Sequence, residues 1–467
     1  MATEKKFLRD SAALRWGALM LIALTMFAVY LVNDEFSPLK TFLEAHNQWN
    51  SVAYGWFQSS YSLFNVFLFM LIIGGLVLDK LGVRFTGILS CILCVIGIGV
   101  KYWALSTPSL TGNIMFMGYD LPKQVFIASL GFATFGVGAE VAGVTVTKSI
   151  AKWFHGYEMA LAMGVQVAIS RLGQGGAMIL SPIIANHFGT VNAVVLTGLC
   201  LLIMGTILYI IFTFYDKKLD KQLATANVAE KNDSEEDEFK WKDVLAVLKN
   251  PGFWMIAFLC VLFYSAVFPF QKYASDLMVN KFGVDQSIAG RIPSVLPFGC
   301  IVLTPLFGFI YDRKGHGADL MILGACIIMT VHVIFALPFV DKTWMAYILM
   351  AFLGIGFALL PSAMWPSVTK IIPQKQLGTA MSLIFYIQNI GLWGVPLAIG
   401  SVLNKFCITG TAMTADGLTR STYDYTLPSI IFASFGVISI FIAISVKILD
   451  KKKHYGLQVA NIQKGEE

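Results

Sequence analysis

The chain has 467 residues, 57% of them hydrophobic and only 13% charged, with a formal net charge of +6. That is too apolar for a soluble protein folded around one core, and the small basic surplus follows from the loop bias of a membrane protein without invoking nucleic acid. No nucleotide-binding loop or metal-ligand cluster is present in the sequence, so no catalytic residue, metal site or cofactor is expected.

Apolar runs of about 20 residues, the length that crosses a bilayer, recur at 16–33, 54–78, 85–104, 123–147, 157–186, 190–215, 253–280, 287–311, 318–340, 343–369, 376–404 and 425–449. Helices are expected throughout, because a lipid-facing backbone must satisfy its own hydrogen bonds and the runs are too long for barrel strands. The expected fold is therefore an all-α membrane protein of twelve transmembrane helices. The first span reads as a retained helix rather than a removed signal. The seven cysteines lie mostly within spans and behave as small apolar residues, including the Cys91/Cys94 pair.

Lysine and arginine collect in the amino-terminal tail, the 80–84 and 148–152 turns, the 216–250 loop, Arg313/Lys314, Lys370/Lys375 and the tail from Lys447. Positive loops stay in the cytoplasm, which places both termini there. The longest hydrophilic stretch, 216–250, carries "AEKNDSEEDEFKWKD" and the sequon Asn232-Asp-Ser234. It divides an amino-terminal unit of six spans (1–215) from a carboxyl-terminal one (251–450), with a tail at 451–467.

Internal symmetry supports that division. The turn after the second span reads "GLVLDKLGVR" from Gly75 to Arg84, and the turn after the eighth reads "GFIYDRKG" from Gly308 to Gly315. Gly75 and Gly308 are expected to allow close helix approach, and Gly82 and Gly315 a tight reversal. Asp79 and Asp312 are expected to accept hydrogen bonds from a neighbouring helix end or its basic residues. With Lys80, Arg84 and Arg313 they form a candidate gate. This arrangement of glycine, acid, base and glycine resembles the signature of the major facilitator superfamily. The resemblance implies two pseudo-symmetric six-helix bundles around a central cavity, with ligands bound between them.

Glu140 in "FGVGAEVAGVTV" and Arg171 in "ISRLGQGGA" are opposite charges inside apolar spans four and five. A helical rise of ~1.5 Å per residue puts both roughly 18–21 Å into the membrane. A charge there costs about 2.5–3.5 kcal/mol on insertion scales and persists where it is paired or faces a wet cavity. One reading is a permanent pair that fixes two helices. The other is that Arg171 binds a carboxylate with its planar fork while Glu140 receives an ammonium group, which suits a zwitterion. Gly173, Gly175 and Gly176 would let a neighbouring backbone come close or the helix bend. Tyr386, Asn389 and Trp393 fall at i, i+3, i+7 on span eleven with Gln388 adjacent, Tyr264 and Phe268 lie one turn apart on span seven, and Trp365 precedes Pro366 on span ten. Tyr264, Phe268, Trp365, Tyr386, Gln388 and Asn389 are the candidate carboxyl-terminal wall. Prolines at 293, 297, 305, 361, 366 and 396 are expected to bend spans eight, ten and eleven.

Several passages resemble the family of major facilitator superfamily domain-containing protein 1, dipeptide carriers known from lysosomes. They are "FWMIAFLCVLFYSAVFPF", "KFGVDQSIAGRIPSVL" and "SAMWPSVTKIIPQKQLGTAMSLIFYIQNIGL", together with the pairing of "FGVGAE" and "ISRLG". The resemblance implies facilitated passage of dipeptides with Glu140 and Arg171 meeting the charged ends, as uniport or coupled to protons. The tails lack an acidic dileucine sorting pattern and the non-cytoplasmic loops carry no sequon, which favours a bacterial inner membrane or another plasma membrane over a lysosome. The animal family has a glycosylated accessory subunit, for which the sequence shows no surface. The partners expected are a small-molecule substrate (a dipeptide or zwitterion), the lipid bilayer and, in the coupled case, protons. Competing readings are an organic-anion carrier, in which Arg171 holds a mono- or dicarboxylate, and a receptor or scaffold that binds peptides without moving them.

Overall fold

A computed structural model describes residues 7–225, 241–414 and 416–461. The sequon at Asn232 lies outside the described residues. Among the described residues, eleven helices are long and apolar enough to cross a membrane. The main ones are α1 (Ala12–Asp34), α5 (Met70–Ser106), α6 (Lys123–Trp153), α7 (Met159–Phe188) and α8 (Val191–Thr225), then α10 (Pro251–Phe282), α11 (Val295–Lys314), α12 (Gly317–Ala336), α13 (Thr343–Ile371), α14 (Leu377–Phe406) and α15 (Thr426–Lys453).

The second expected span departs from a single rod. It is assembled from α3 (Ser51–Ser60), α4 (Leu63–Phe67) and the start of α5, which breaks again at Gly82 (φ 75°, ψ 174°) before continuing as the third span. Phe69 sits between α4 and α5 at φ 54°, a conformation costly for a bulky side chain. Short α2 (Lys40–Asn47) follows α1, and α9 (Trp241–Leu248) precedes α10. Local signals explain several ends. The side-chain oxygens of Asn50 and Asn250 cap α3 and α10, accepting from the backbone N–H groups of Ala53 (2.8 Å) and Gly252 (2.9 Å). Gly189 and Gly283 close α7 and α10 with positive φ. Helix α8 runs on to Thr225, past the point where the hydrophilic segment begins in the sequence. Its Asp216 is fully buried by Lys152, Arg84 and the Trp153 indole N–H. Two small hairpins, β1 (Asn113–Phe116) with β2 (Tyr119–Pro122) and β3 (Ile408–Met413) with β4 (Thr419–Tyr423), were not expected from an all-helical reading.

The two sets of helices meet along α3 with α14 and α7 with α11. Approach is closest where side chains are missing. A Cβ on Gly55 would lie 2.7 Å from the Pro396 carbonyl, and one on Gly400 would lie 2.3 Å from the Ser51 carbonyl. Gly173 is placed in the same way, since a Cβ there would lie 2.3 Å from the Phe27 carbonyl of α1, whereas Gly176 faces open space.

The repeated turns are only partly as expected. Gly82 and Gly315 do have positive φ (75° and 70°) and make the reversals. Gly75 and Gly308, by contrast, have nothing within 4 Å of a Cβ, so no helix packs on them in this conformation. Asp79 accepts a hydrogen bond from Lys148 of α6 at 2.8 Å, and Arg84 pairs with Asp216 and Asp220 of α8. Lys80 is exposed. Asp312 accepts from the Asn461 amide at 2.7 Å, while Arg313 lies over the Phe309 ring at 4.5 Å. The segment after α15 is stitched to this second turn: His316 N–H donates to the Gln458 carbonyl, Gly317 N–H to that of Leu457, and the Lys370 ammonium to that of Val459.

Candidate substrate cavity

Between the halves lies a cavity of about 250 Å³, close to the lower end of the roughly 300–1,000 Å³ typical of small-molecule pockets. Its walls come from α1, α3, α6 and α7 on one side and α10 and α14 on the other. Both Glu140 and Arg171 line it. Among the described residues they form no ion pair with each other or with any other group. The Glu140 carboxylate accepts a hydrogen bond from the Tyr61 hydroxyl at 3.0 Å. Arg171 donates to the Gln174 side-chain oxygen at 2.6 Å, and its guanidinium carbon lies 5.3 Å from the Phe357 ring centre and 5.9 Å from those of Tyr30 and Phe268. An arginine has five N–H donors, so one amide partner leaves most of them for a ligand.

Of the expected carboxyl-terminal wall, Tyr264, Phe268 and Gln388 line the cavity, and the rings of Tyr264 and Phe268 stack at 5.3 Å. Trp365, Tyr386 and Asn389 do not line it. Trp365 stands behind, its indole N–H donating to the Tyr264 hydroxyl at 3.3 Å and its ring resting on Phe385. Tyr386 stacks on Phe69 at 5.2 Å and donates to the Val66 carbonyl, and Trp393 meets Phe67 edge to face. Asn389 is buried, with its amide turned back to the Phe385 carbonyl at 3.0 Å. The face of α14 that reaches the cavity is Phe385, Gln388, Leu392 and Pro396. This is the expected spacing displaced by one residue, and one residue turns an α-helix by about 100°. Tyr386, Asn389 and Trp393 consequently serve the contact between α14 and the amino-terminal helices or the interior of their own half.

Several lining groups escaped the sequence reading. Tyr30, Asn33, Asp34, Gln58, Tyr61, Gln174 and Lys272 all border the cavity. Gln58 and Tyr61 are polar residues three apart in an apolar run, a signal the sequence did hold. Asp34 looked like the end of a span. Instead it is buried and accepts from the Lys272 ammonium at 2.9 Å, linking α1 to α10, while Lys272 also donates to the Asn33 carbonyl.

That link belongs to a larger seal at the end of the molecule opposite the termini. Lys40 of α2, with no side-chain exposure, lies 2.8 Å from Glu44 and 2.9 Å from Asp276 of α10. Asp276 also accepts from Thr41 (2.8 Å) and from Tyr425, and Glu44 from Tyr423 (2.8 Å). At the other end, the pairs Asp79–Lys148, Lys152–Asp216 and Lys447–Asp319 each stay within one half. The candidate gate residues of the repeated turns therefore brace their own halves here and do not cross between them.

A polar cavity held between two helical halves of a multi-pass membrane protein is the arrangement of a solute carrier. Residues 18–393 match the Major Facilitator Superfamily, and the chain belongs to it: it is a membrane transporter and not an enzyme. Among curated relatives is the lysosomal dipeptide transporter MFSD1 of Danio rerio, 27% identical over 391 residues that cover 81% of this chain and 78% of the relative. The Homo sapiens protein of the same name is 25% identical over 403 residues, 83% of this chain and 79% of the relative. A nitrite extrusion protein of Bacillus subtilis is 21% identical over 332 residues, 70% of this chain and 73% of the relative. Solved structures of like fold include the nucleoside transporter NupG, with a TM-score of 0.61 at 16% identity over 92% of this chain and 99% of that one. A bacterial homologue of the human drug peptide transporters PepT1 and PepT2 gives 0.62 at 14% identity over 94% and 99%.

Proposed function

We propose that the chain carries dipeptides and similarly small zwitterions across its membrane by alternating access, with Glu140 receiving the substrate ammonium and Arg171 its carboxylate. The observation that carries this reading is that the two opposite charges share one cavity without pairing. A permanent structural pair would have no reason to stay open. Tyr264, Phe268 and Gln388 supply apolar and amide wall, and Trp365 holds Tyr264 in place from behind. Such a wall fixes a peptide by its ends and tolerates many side chains. The kinship with dipeptide transporters named MFSD1 supports the same substrate class.

The halves on either side of the 216–250 segment rock about the cavity. With both termini in the cytoplasm, the present conformation is sealed toward the outside by the Asp34–Lys272 and Lys40–Asp276 links. A bacterial inner membrane or another plasma membrane is the proposed location. Glu140 sets the coupling: a carboxyl that loads and releases a proton each cycle gives symport, and one that stays ionised gives uniport.

Counterflow of a radiolabelled dipeptide in proteoliposomes, with pH gradient and voltage clamped independently, tests the assignment. Exchange that is lost when the peptide amino group is acetylated supports the zwitterion reading. Exchange of acetylated peptide or of plain carboxylates at undiminished rate would point to an organic-anion carrier, and binding without exchange to a receptor.

A further inference from the structure

Gln58 stands out among the cavity residues because, among the described residues, its side-chain oxygen is left without a donor. It lines the cavity from α3, is 3% exposed, and among the described residues no well-formed hydrogen bond reaches its side-chain oxygen or nitrogen. Buried amides are ordinarily bonded, since an unmade bond inside the protein is costly. One turn back on the same helix, the Tyr54 hydroxyl comes near, but it donates its own proton to the Lys272 carbonyl at 2.6 Å. Toward Gln58 it can therefore only accept, which suits the Nε2 end and leaves Oε1 needing a donor. Three residues on, at the spacing that stacks side chains on one helix face, Tyr61 holds the Glu140 carboxylate.

We propose that Gln58 is the residue that recognises the peptide bond, its Oε1 accepting the backbone N–H of a dipeptide whose ammonium group lies at Glu140. The inference rests on the zwitterion reading above and deepens it. A dipeptide and a free amino acid offer the same two charged ends. What distinguishes them is the internal amide, whose N–H lies one residue from the ammonium group, and Gln58 lies one helix turn from Tyr61, the residue that holds the Glu140 carboxylate. Glu140 and Arg171 thus select a zwitterion, and Gln58 selects a peptide.

The test compares alanyl-alanine with its ester analogue alanyl-lactate, which keeps both charged ends and the overall shape but replaces the N–H by oxygen. Apparent affinities come from competition in the counterflow assay and from ligand-induced thermal shift of the purified protein. Wild type should prefer the amide by about tenfold. Gln58→Leu should bring the ratio to about one, and Gln58→Glu, which keeps an acceptor oxygen, should preserve the preference. Gln58→Met serves as a second apolar variant should the leucine protein not fold. Equal affinity for amide and ester in wild type overturns the proposal while leaving the zwitterion reading intact. A preference that survives in the apolar variants also overturns it, because a merely structural Gln58 would shift the melting temperature without touching the ratio. Failure of wild type to bind any dipeptide removes both readings together.

Discussion

Replacing Lys40 by methionine keeps the length of the side chain and deletes the cation that two buried carboxylates share. In the structure the Lys40 ammonium lies 2.8 Å from Glu44 and 2.9 Å from Asp276, and neither Lys40 nor Asp276 has exposed side-chain surface. Removing one member of a buried pair costs about 3–5 kcal/mol, because the remaining charge is left without compensation. Lys40 belongs to α2 and Asp276 to α10, so the two meet only while this end of the molecule is shut. The loss falls on the sealed state and shifts the opening equilibrium by about 10²–10⁴-fold at 1.4 kcal/mol per decade. The measurement is the labelling rate of Ser275→Cys by an impermeant maleimide applied from the side opposite the termini, in a background without the native cysteines. Ser275 is 1% exposed and should label slowly until Lys40→Met is added. Adding Glu44→Gln and Asp276→Asn to Lys40→Met removes the orphaned charges and should recover most of the slow labelling. An unchanged rate in Lys40→Met, with folded protein, would refute the idea that this network closes the cavity.

Four further outcomes are expected. Glu140→Gln and Arg171→Ala should each abolish dipeptide exchange while leaving folded protein in the membrane, and wild-type exchange in either one contradicts its assigned role. Gly400→Val should block closure between α3 and α14, since even a Cβ there would lie 2.3 Å from the Ser51 carbonyl; counterflow should fall steeply and the Ser275→Cys site should label fast. Asp79→Asn should weaken the Lys148 link and change cysteine accessibility at the end nearer the termini, and identical accessibility would count against a gating role. Hydrogen bonds from Arg15, before its charge, hold the Glu158 carboxyl below the ordinary carboxylate range. A depressed carboxyl stabilises the folded form above its unfolded value and loses that effect as pH falls through the folded one. Glu158→Gln should therefore melt below wild type at pH 7, with the gap closing toward pH 3; a gap independent of pH would exclude this origin.

Glu140 and Arg171 were legible because a single charge in an otherwise apolar run has few tolerable places to go. The helices were legible because bilayer thickness fixes their length. Other features depend on information that hydropathy does not carry. On α14, polar and aromatic residues occupy two adjacent faces, so Asn389 and Gln388 looked equally fit, and only packing against Phe69 and Phe67 decides which one meets the cavity. The break at Phe69 has no glycine or proline to announce it. Asp34 and Lys272 lie far apart in sequence; Asp34 stood just past the end of the first expected span, and Lys272 stood inside the seventh with no partner visible nearby in the sequence. Only the docking of α1 beside α10 makes them a pair.

The two copies of the glycine-acid-base turn are alike in sequence and unlike in what holds them. The first leans on a lysine of its own bundle, whereas the second is tethered by Leu457, Gln458 and Asn461 near the carboxyl terminus. One half is thus self-governed and the other is on a leash formed by residues 457–461. If the halves rock as proposed, a protein that grips that leash, or an affinity tag fused close behind it, would tug on the carrier without ever approaching its cargo.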